Sequence, residues 1–90
     1  MRLDFFLSLS RLIKRRTQAK KACEVGAVLI DGIIAKASQK VKIGQKIQID
    51  FPGRLLEVEI ISVPLEKNLK KEEAKNLYKV IKEERKRILE

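Results

Sequence analysis

The sequence predicts an α+β domain: two short helices packed on a small antiparallel sheet, followed by a C-terminal helix. Three observations predict it. Apolar residues recur at helical spacing through the first 25 residues. An Asp-Gly pair separates two apolar, largely β-branched runs near residue 31. Apolar and polar residues then alternate through residues 47–60. Helical periods followed by strand periods within 90 residues describe one layer of helices on one sheet.

The chain opens MRLDFFLSLSRLI, where Leu3, Phe6, Leu7 and Ser10 share a stripe. This predicts a helix from about Leu3 to Leu12, with Phe5 and Leu12 at the stripe's margins. Asp4 falls in its first turn, where a carboxylate meets unpaired N–H groups and the positive end of the dipole. Asp4 is read as structural, holding the helix start and orienting a neighbouring arginine. Lys14, Arg15 and Arg16 form a bend. Thr17 is read as the N-cap of a second helix, Gln18 to Val25, whose inner stripe is Ala19, Ala22 and Cys23. Gly26 ends it.

Asp31-Gly32 is the turn of a hairpin, because both central positions of a tight hairpin turn require positive φ. Ala35 to Lys42 is a polar connection and Gly44-Gln45 a turn. Ile47, Ile49 and Phe51 form one face of a strand. Pro52-Gly53 turns the chain into the longest strand, Leu55 to Val63, with Glu57 and Glu59 on its wet side. The expected division is a domain over residues 1–63, a linker over 64–69 and a helix over 70–90. In that helix Ala74, Leu77, Tyr78, Ile81 and Ile88 form a narrow apolar stripe.

The net charge is +9, and residues 1–50 carry +7 of it (11 basic and 4 acidic side chains). A balance of this kind speaks for a polyanionic partner, nucleic acid or an anionic membrane. The charge is densest in RLIKRRTQAKK, residues 11–21, where six of eleven residues are Lys or Arg and no acid intervenes between Asp4 and Glu24. Cations pinned on a bend and a helix start are suited to a phosphate backbone. A membrane-surface helix needs a broader apolar face than the tail offers. Of four aromatic residues, Phe5, Phe6 and Phe51 are read as buried and Tyr78 as packed in the core or on a partner helix. Few rings are then left to stack single-stranded bases, so the expected partner is structured RNA read by shape and phosphate position.

The chain has no histidine and one cysteine, Cys23. Histidine-based acid–base and nucleophilic chemistry, zinc clusters and an internal disulfide network are therefore excluded. No cofactor and no enzymatic activity are expected. Cys23 is read as a small packed hydrophobe, and a lone thiol fits a reducing, cytoplasmic setting. The longest uncharged runs have six residues, Phe5–Ser10 and Val25–Ile30 among them, too short for a membrane span or a signal-peptide core.

Arg2-Leu3-Asp4, Leu7, Arg15-Arg16-Thr17-Gln18-Ala19, Gly26 and Asp31-Gly32 carry a resemblance over residues 1–51. In that order they resemble the RNA-binding domain first described in small-subunit ribosomal protein S-four, the S-four-type or αL motif. Asp31 stands where that family's hairpin commonly has Asn, a residue equally at ease in the turn. The opening MRLDFFLSLSRLIKRRTQAK and the tail extend the resemblance to the RqcP (YabO) family of ribosome-associated quality-control factors. The resemblance implies a non-enzymatic factor that binds large-subunit rRNA and peptidyl-tRNA on the obstructed large ribosomal subunit. It also implies support of C-terminal alanine tailing by a partner, RqcH, and a monomer off the ribosome. A heat-shock-type factor that recycles stalled subunits, or a general structured-RNA binder, is the alternative. The expected RNA-binding residues are Arg2, Arg11, Lys14, Arg15, Arg16, Thr17, Lys20 and Lys21, with Lys36, Lys40 and Lys42 extending the patch. Arg16 is the one weighted most.

Overall fold

The computed structural model describes residues 1–64 and 71–86. Helices α1 (Leu3–Leu9) and α2 (Arg16–Glu24) lead into strands β1 (Val28–Ile30), β2 (Ile33–Ile34), β3 (Lys46–Phe51) and β4 (Arg54–Ile60). A single helical turn, α3 (Lys71–Ala74), and a 3-10 turn (Lys75–Leu77) then precede strand β5 (Tyr78–Arg85). The strands form one antiparallel sheet in the order β2-β1-β3-β4-β5.

The two helices cover one face of that sheet. Leu3, Phe6 and Leu7 of α1 and Ala19 and Cys23 of α2 join Val28, Ile30, Ile47, Ile49, Leu56, Val58 and Ile60 in a single core. Alternation along β4 puts Leu56, Val58 and Ile60 inward and leaves Glu57 and Glu59 on the outer face, as the sequence pattern requires.

α1 stops at Leu9, three residues before its expected end. Arg11 takes φ 62°, a left-handed conformation uncommon for a residue with a Cβ. The reversal is held by the Ile13 N–H donating to the Leu7 carbonyl (3.1 Å) and by the Ser10 hydroxyl donating to the same oxygen (3.3 Å). It folds Leu12 and Ile13 under the helices into the core. α2 in turn starts at Arg16, with Arg15 extended at the N-cap position. Thr17 is therefore inside the first turn and is not the cap. The Arg15 carbonyl accepts from the Ala19 N–H (2.9 Å), which closes the helix earlier than Thr17 could. At the other end Gly26, φ 75°, ends α2 as expected. Its N–H donates to Cys23 O (3.1 Å) and the Ala27 N–H to Ala22 O (2.9 Å), the paired bonds of a Schellman motif.

The Asp31-Gly32 hairpin is as read. Both residues have positive φ, 50° and 83°, and Ile30 faces Ile33 across the turn. Asp31 also ties the hairpin to β3, its Oδ1 accepting from the Lys46 N–H at 3.0 Å.

The tail differs from expectation. Of the helix expected over 70–90, the described residues 71–86 instead form one helical turn, a 3-10 turn and an eight-residue strand. β5 pairs with the open edge of β4, placing Lys79 opposite Glu59 and Lys82 opposite Glu57. Opposite charges directly across an antiparallel pair favour this register. Tyr78 and Leu77 pack at the core, and Leu77 is 4% exposed. The tail is thereby part of the sheet and not a projecting helix. Of the expected linker only Pro64 is described; residues 65–70 and Ile88 lie outside the described residues.

Candidate nucleic-acid interface

Arg2 is built into the fold before α1 begins. It is extended (φ −73°, ψ 149°) and forms a β-bridge with Lys40. Around it the Leu3 N–H donates to Gln39 O (2.7 Å), the Asp4 N–H to Ala37 O (3.1 Å) and the Val41 N–H to Met1 O (3.0 Å). The chain's second residue is thus held in a short ladder, and Lys40 is brought beside it.

Asp4 is the next link. Its carboxylate is 2% exposed, and a buried carboxylate is tolerated only when paired and hydrogen-bonded. Its Oδ1 accepts from the Phe5 N–H at 2.8 Å. The Arg2 guanidinium meets it fork-on-fork, Nε to Oδ1 and Nη2 to Oδ2, both at 3.2 Å. Arg16 approaches from α2, with Nε 3.4 Å from Oδ2. The Arg16 guanidinium also lies over the Phe5 ring, 5.2 Å from its centroid. One buried anion therefore fixes two cations from different elements. Arg2 and Arg16 remain 47% and 49% exposed, so each guanidinium keeps N–H groups for an outside acceptor.

Lys20 lies one helical turn beyond Arg16 and shares its face. Arg2, Asp4, Arg16, Thr17 and Lys20 line an open depression of about 290 Å³. With two arginines against one carboxylate and a lysine on the rim, its net charge is positive. Such a surface takes phosphate oxygens without a metal or an acid–base group.

The structure gathers only some of the expected site residues. Arg2, Arg16, Thr17 and Lys20 meet in the depression, and Lys40 flanks Arg2. Lys21, read beside Lys20, lies on the opposite flank of α2, lining an apolar groove with Ile13, Gln18, Ala22, Val25 and Phe51. A rotation of about 100° per residue separates neighbours on a helix. Arg11, Lys14 and Arg15 are exposed on the bend and do not line the depression. Lys36 opens the loop that carries Lys40, its carbonyl accepting from the Gln39 N–H. Lys42 is exposed, with its N–H donating to Gln45 Oε1 (2.7 Å), and does not line the depression. Phe5 is the participant that periodicity missed. Its place next to Asp4, facing the side on which Arg16 arrives, is a tertiary fact.

Cys23 is buried near this cluster. Burial first, then the negative charges of Asp4 and Glu24, push its thiol up to about 11. The thiol is held protonated at neutral pH, as a packed residue and not as a nucleophile. Among the described residues no His/Cys/Asp/Glu group could hold a metal ion, and no helix is long and apolar enough to cross a membrane.

The fold has known relatives. The S4 domain matches residues 1–47. The chain is 51% identical over 84 residues to the RQC P-site tRNA stabilizing factor of Halalkalibacterium halodurans, covering 93% of each protein. It is 47% identical to the factor of the same name from Bacillus subtilis, covering 94% of this chain and 96% of that one. Among solved structures, Heat Shock Protein 15 of Vibrio cholerae superposes with a TM-score of 0.82 at 30% identity, over 90% of this chain and 81% of the other. The hypothetical protein HP1423, solved in solution, gives 0.78 at 35%, over 91% and 98%.

Proposed function

The chain belongs to the S4 domain family and, within it, to the RQC P-site tRNA stabilizing factors, and on that premise we propose that it is an RNA-binding factor of ribosome-associated quality control. It binds the obstructed large subunit through rRNA and peptidyl-tRNA, holds the tRNA in one position, and so supports C-terminal alanine tailing by RqcH. The observation that carries the RNA-binding part is the buried Asp4 fixing Arg2 and Arg16 with their outer edges free. Preorganised arginines lose little entropy when they clamp phosphate, so the surface favours one arrangement of backbones. The reading is of binding and positioning, with no bond made or broken by the protein.

A second reading is that the same surface serves recycling of stalled subunits; Heat Shock Protein 15 shares the fold at 30% identity. Both readings share the first test. Cosedimentation with large subunits carrying peptidyl-tRNA should show Arg16→Ala weakened by roughly 1–3 kcal/mol, with vacant subunits bound less well by the wild type. Equal binding by the variant removes Arg16 from the interface. Cells lacking the protein separate the two readings: loss of alanine tails on stalled chains supports tailing, and intact tails with accumulated obstructed subunits support recycling.

A further inference from the structure

We propose that the end of the β3–β4 hairpin, together with the end of β5, is a second RNA-backbone site, at which Arg54 and Arg85 hold phosphates. The proposal rests on the functional reading above only in taking RNA as the ligand. It starts from a repeated device. Arg16 is fixed by a carboxylate at one edge and a phenylalanine ring at its face. Arg54 is fixed in the same way: its Nη1 lies 2.6 Å from Glu83 Oε2, and its guanidinium lies 4.7 Å from the centroid of the Phe51 ring. Arg54 is 47% exposed, so here too a preset guanidinium keeps donors for an outside acceptor.

The register supplies a second observation. Arg54 stands directly opposite Arg85 across β4 and β5. Like charges in that position destabilise a sheet unless an anion lies between them. Glu83 neutralises one of the two cations, and among the described residues no acid pairs with Arg85. Lys86 adds a further cation, paired with Asp50, and its N–H is tied to Gly53 O (3.0 Å). An open depression of about 620 Å³ lies over Phe51, Pro52, Gly53, Arg54, Glu83 and Arg85, and it shares no residue with the Arg2–Arg16 depression.

Phe51 and Pro52 also wall the groove in which Lys21 and Gln18 of α2 lie. Lys21 thus lies in a largely apolar groove, with Asp50 also on its wall, that borders the hairpin end. An acidic protein surface would also answer these charges. RNA is favoured because the depression carries forked arginines, whose paired donors match phosphate oxygens.

The test is the salt dependence of binding of the full chain to deproteinised large-subunit rRNA. Each phosphate contact adds roughly 0.7–0.9 to the log–log slope. The double variant Arg54→Ala, Arg85→Ala should lose about 1.5 in slope and about tenfold in affinity, and combine almost additively with Arg16→Ala. A double variant with wild-type slope and affinity, beside a weakened Arg16→Ala, overturns the second site and leaves the first standing. If Arg16→Ala is unchanged as well, both surfaces fall. Wild-type binding to bare rRNA with weakened binding to intact subunits also overturns the proposal, in favour of a protein contact. Should the double variant fail to fold, Glu83→Gln decides: weaker rRNA binding, from loss of the carboxylate that aims Arg54, supports the site, and unchanged or tighter binding overturns it.

Discussion

At the residue scale the decisive group is Asp4, the one acid among the first 23 residues. Simple electrostatics and positioning make opposite forecasts for it. Removing a negative charge from a phosphate-binding surface should tighten binding if charge alone matters. If Asp4 acts by aiming Arg2 and Arg16, Asp4→Asn should weaken RNA binding, by roughly three- to tenfold, although the chain gains a positive charge. The amide keeps an oxygen for the Phe5 N–H but loses the ionic hold on two guanidinium groups. A direct binding titration, with a melting curve to confirm folding, decides between the two signs. Asp4 was legible as a helix-start residue. Its pairing with Arg16, twelve positions on, was not, because nothing in local spacing says that α2 returns alongside α1.

Cys23 gives a pH dependence at the same scale. Its folded pKa, about 11, lies above the ordinary thiol value of 9.0. The unfolded chain therefore releases this proton first as pH rises. The thiol's contribution to stability is complete below pH 9 and is lost as pH climbs through about 11. Chemical denaturation between pH 8 and 11 should show stability falling over that window, and Cys23→Ala should flatten that part of the fall. Alkylation of the native protein at pH 7 should be slow and should become fast on unfolding.

At the scale of elements, the tail shows where sequence reasoning ran out. KEEAKNL has the composition of a helix, and it delivers one turn of α-helix and a 3-10 turn. YKVIKEER then holds three good strand formers among lysines and glutamates, and its apolar stripe fitted a helix as well as anything else. What decides it is non-local: β4 offers an unpaired edge, with Glu57 and Glu59 standing across from Lys82 and Lys79, while the ion pair of Lys82 is with Glu84 on its own strand. The Asp31-Gly32 hairpin was legible for the converse reason, since two adjacent residues specify the whole turn. β5 becomes the new sheet edge. Its charges and the register shift at Glu57/Val58 guard it against pairing further. Docking of the tail has a measurable cost. Leu77→Ala should lose about 2–5 kcal/mol of unfolding free energy, and Ile81→Ala, at 43% exposure, under about 1. A tail projecting as a helix would show neither loss.

At the scale of the whole molecule, the question is how much of the +9 charge acts at once. Solubility and steering depend on the total, but the salt slope of RNA binding counts only the cations that displace counterions together. Ten of the eleven residues singled out from sequence are cations, Thr17 being the exception, and if all ten engaged they would give a slope near −7 to −9, at roughly 0.7–0.9 per contact. The fold does not gather ten. It gathers Arg2, Arg16, Lys20 and Lys40 around Asp4, for which the slope is about −3. With the hairpin arginines it steepens to between −4 and −5. Titrating wild-type binding to rRNA across 50–300 mM salt therefore measures how the sheet and helices partition the basic residues. A slope near −7 would mean that Arg11, Lys14 and Arg15 on the bend swing in to join the contact, at roughly 0.7–0.9 each. A slope near −1 would mean that a single arginine carries the surface and that its buried carboxylate serves only the fold.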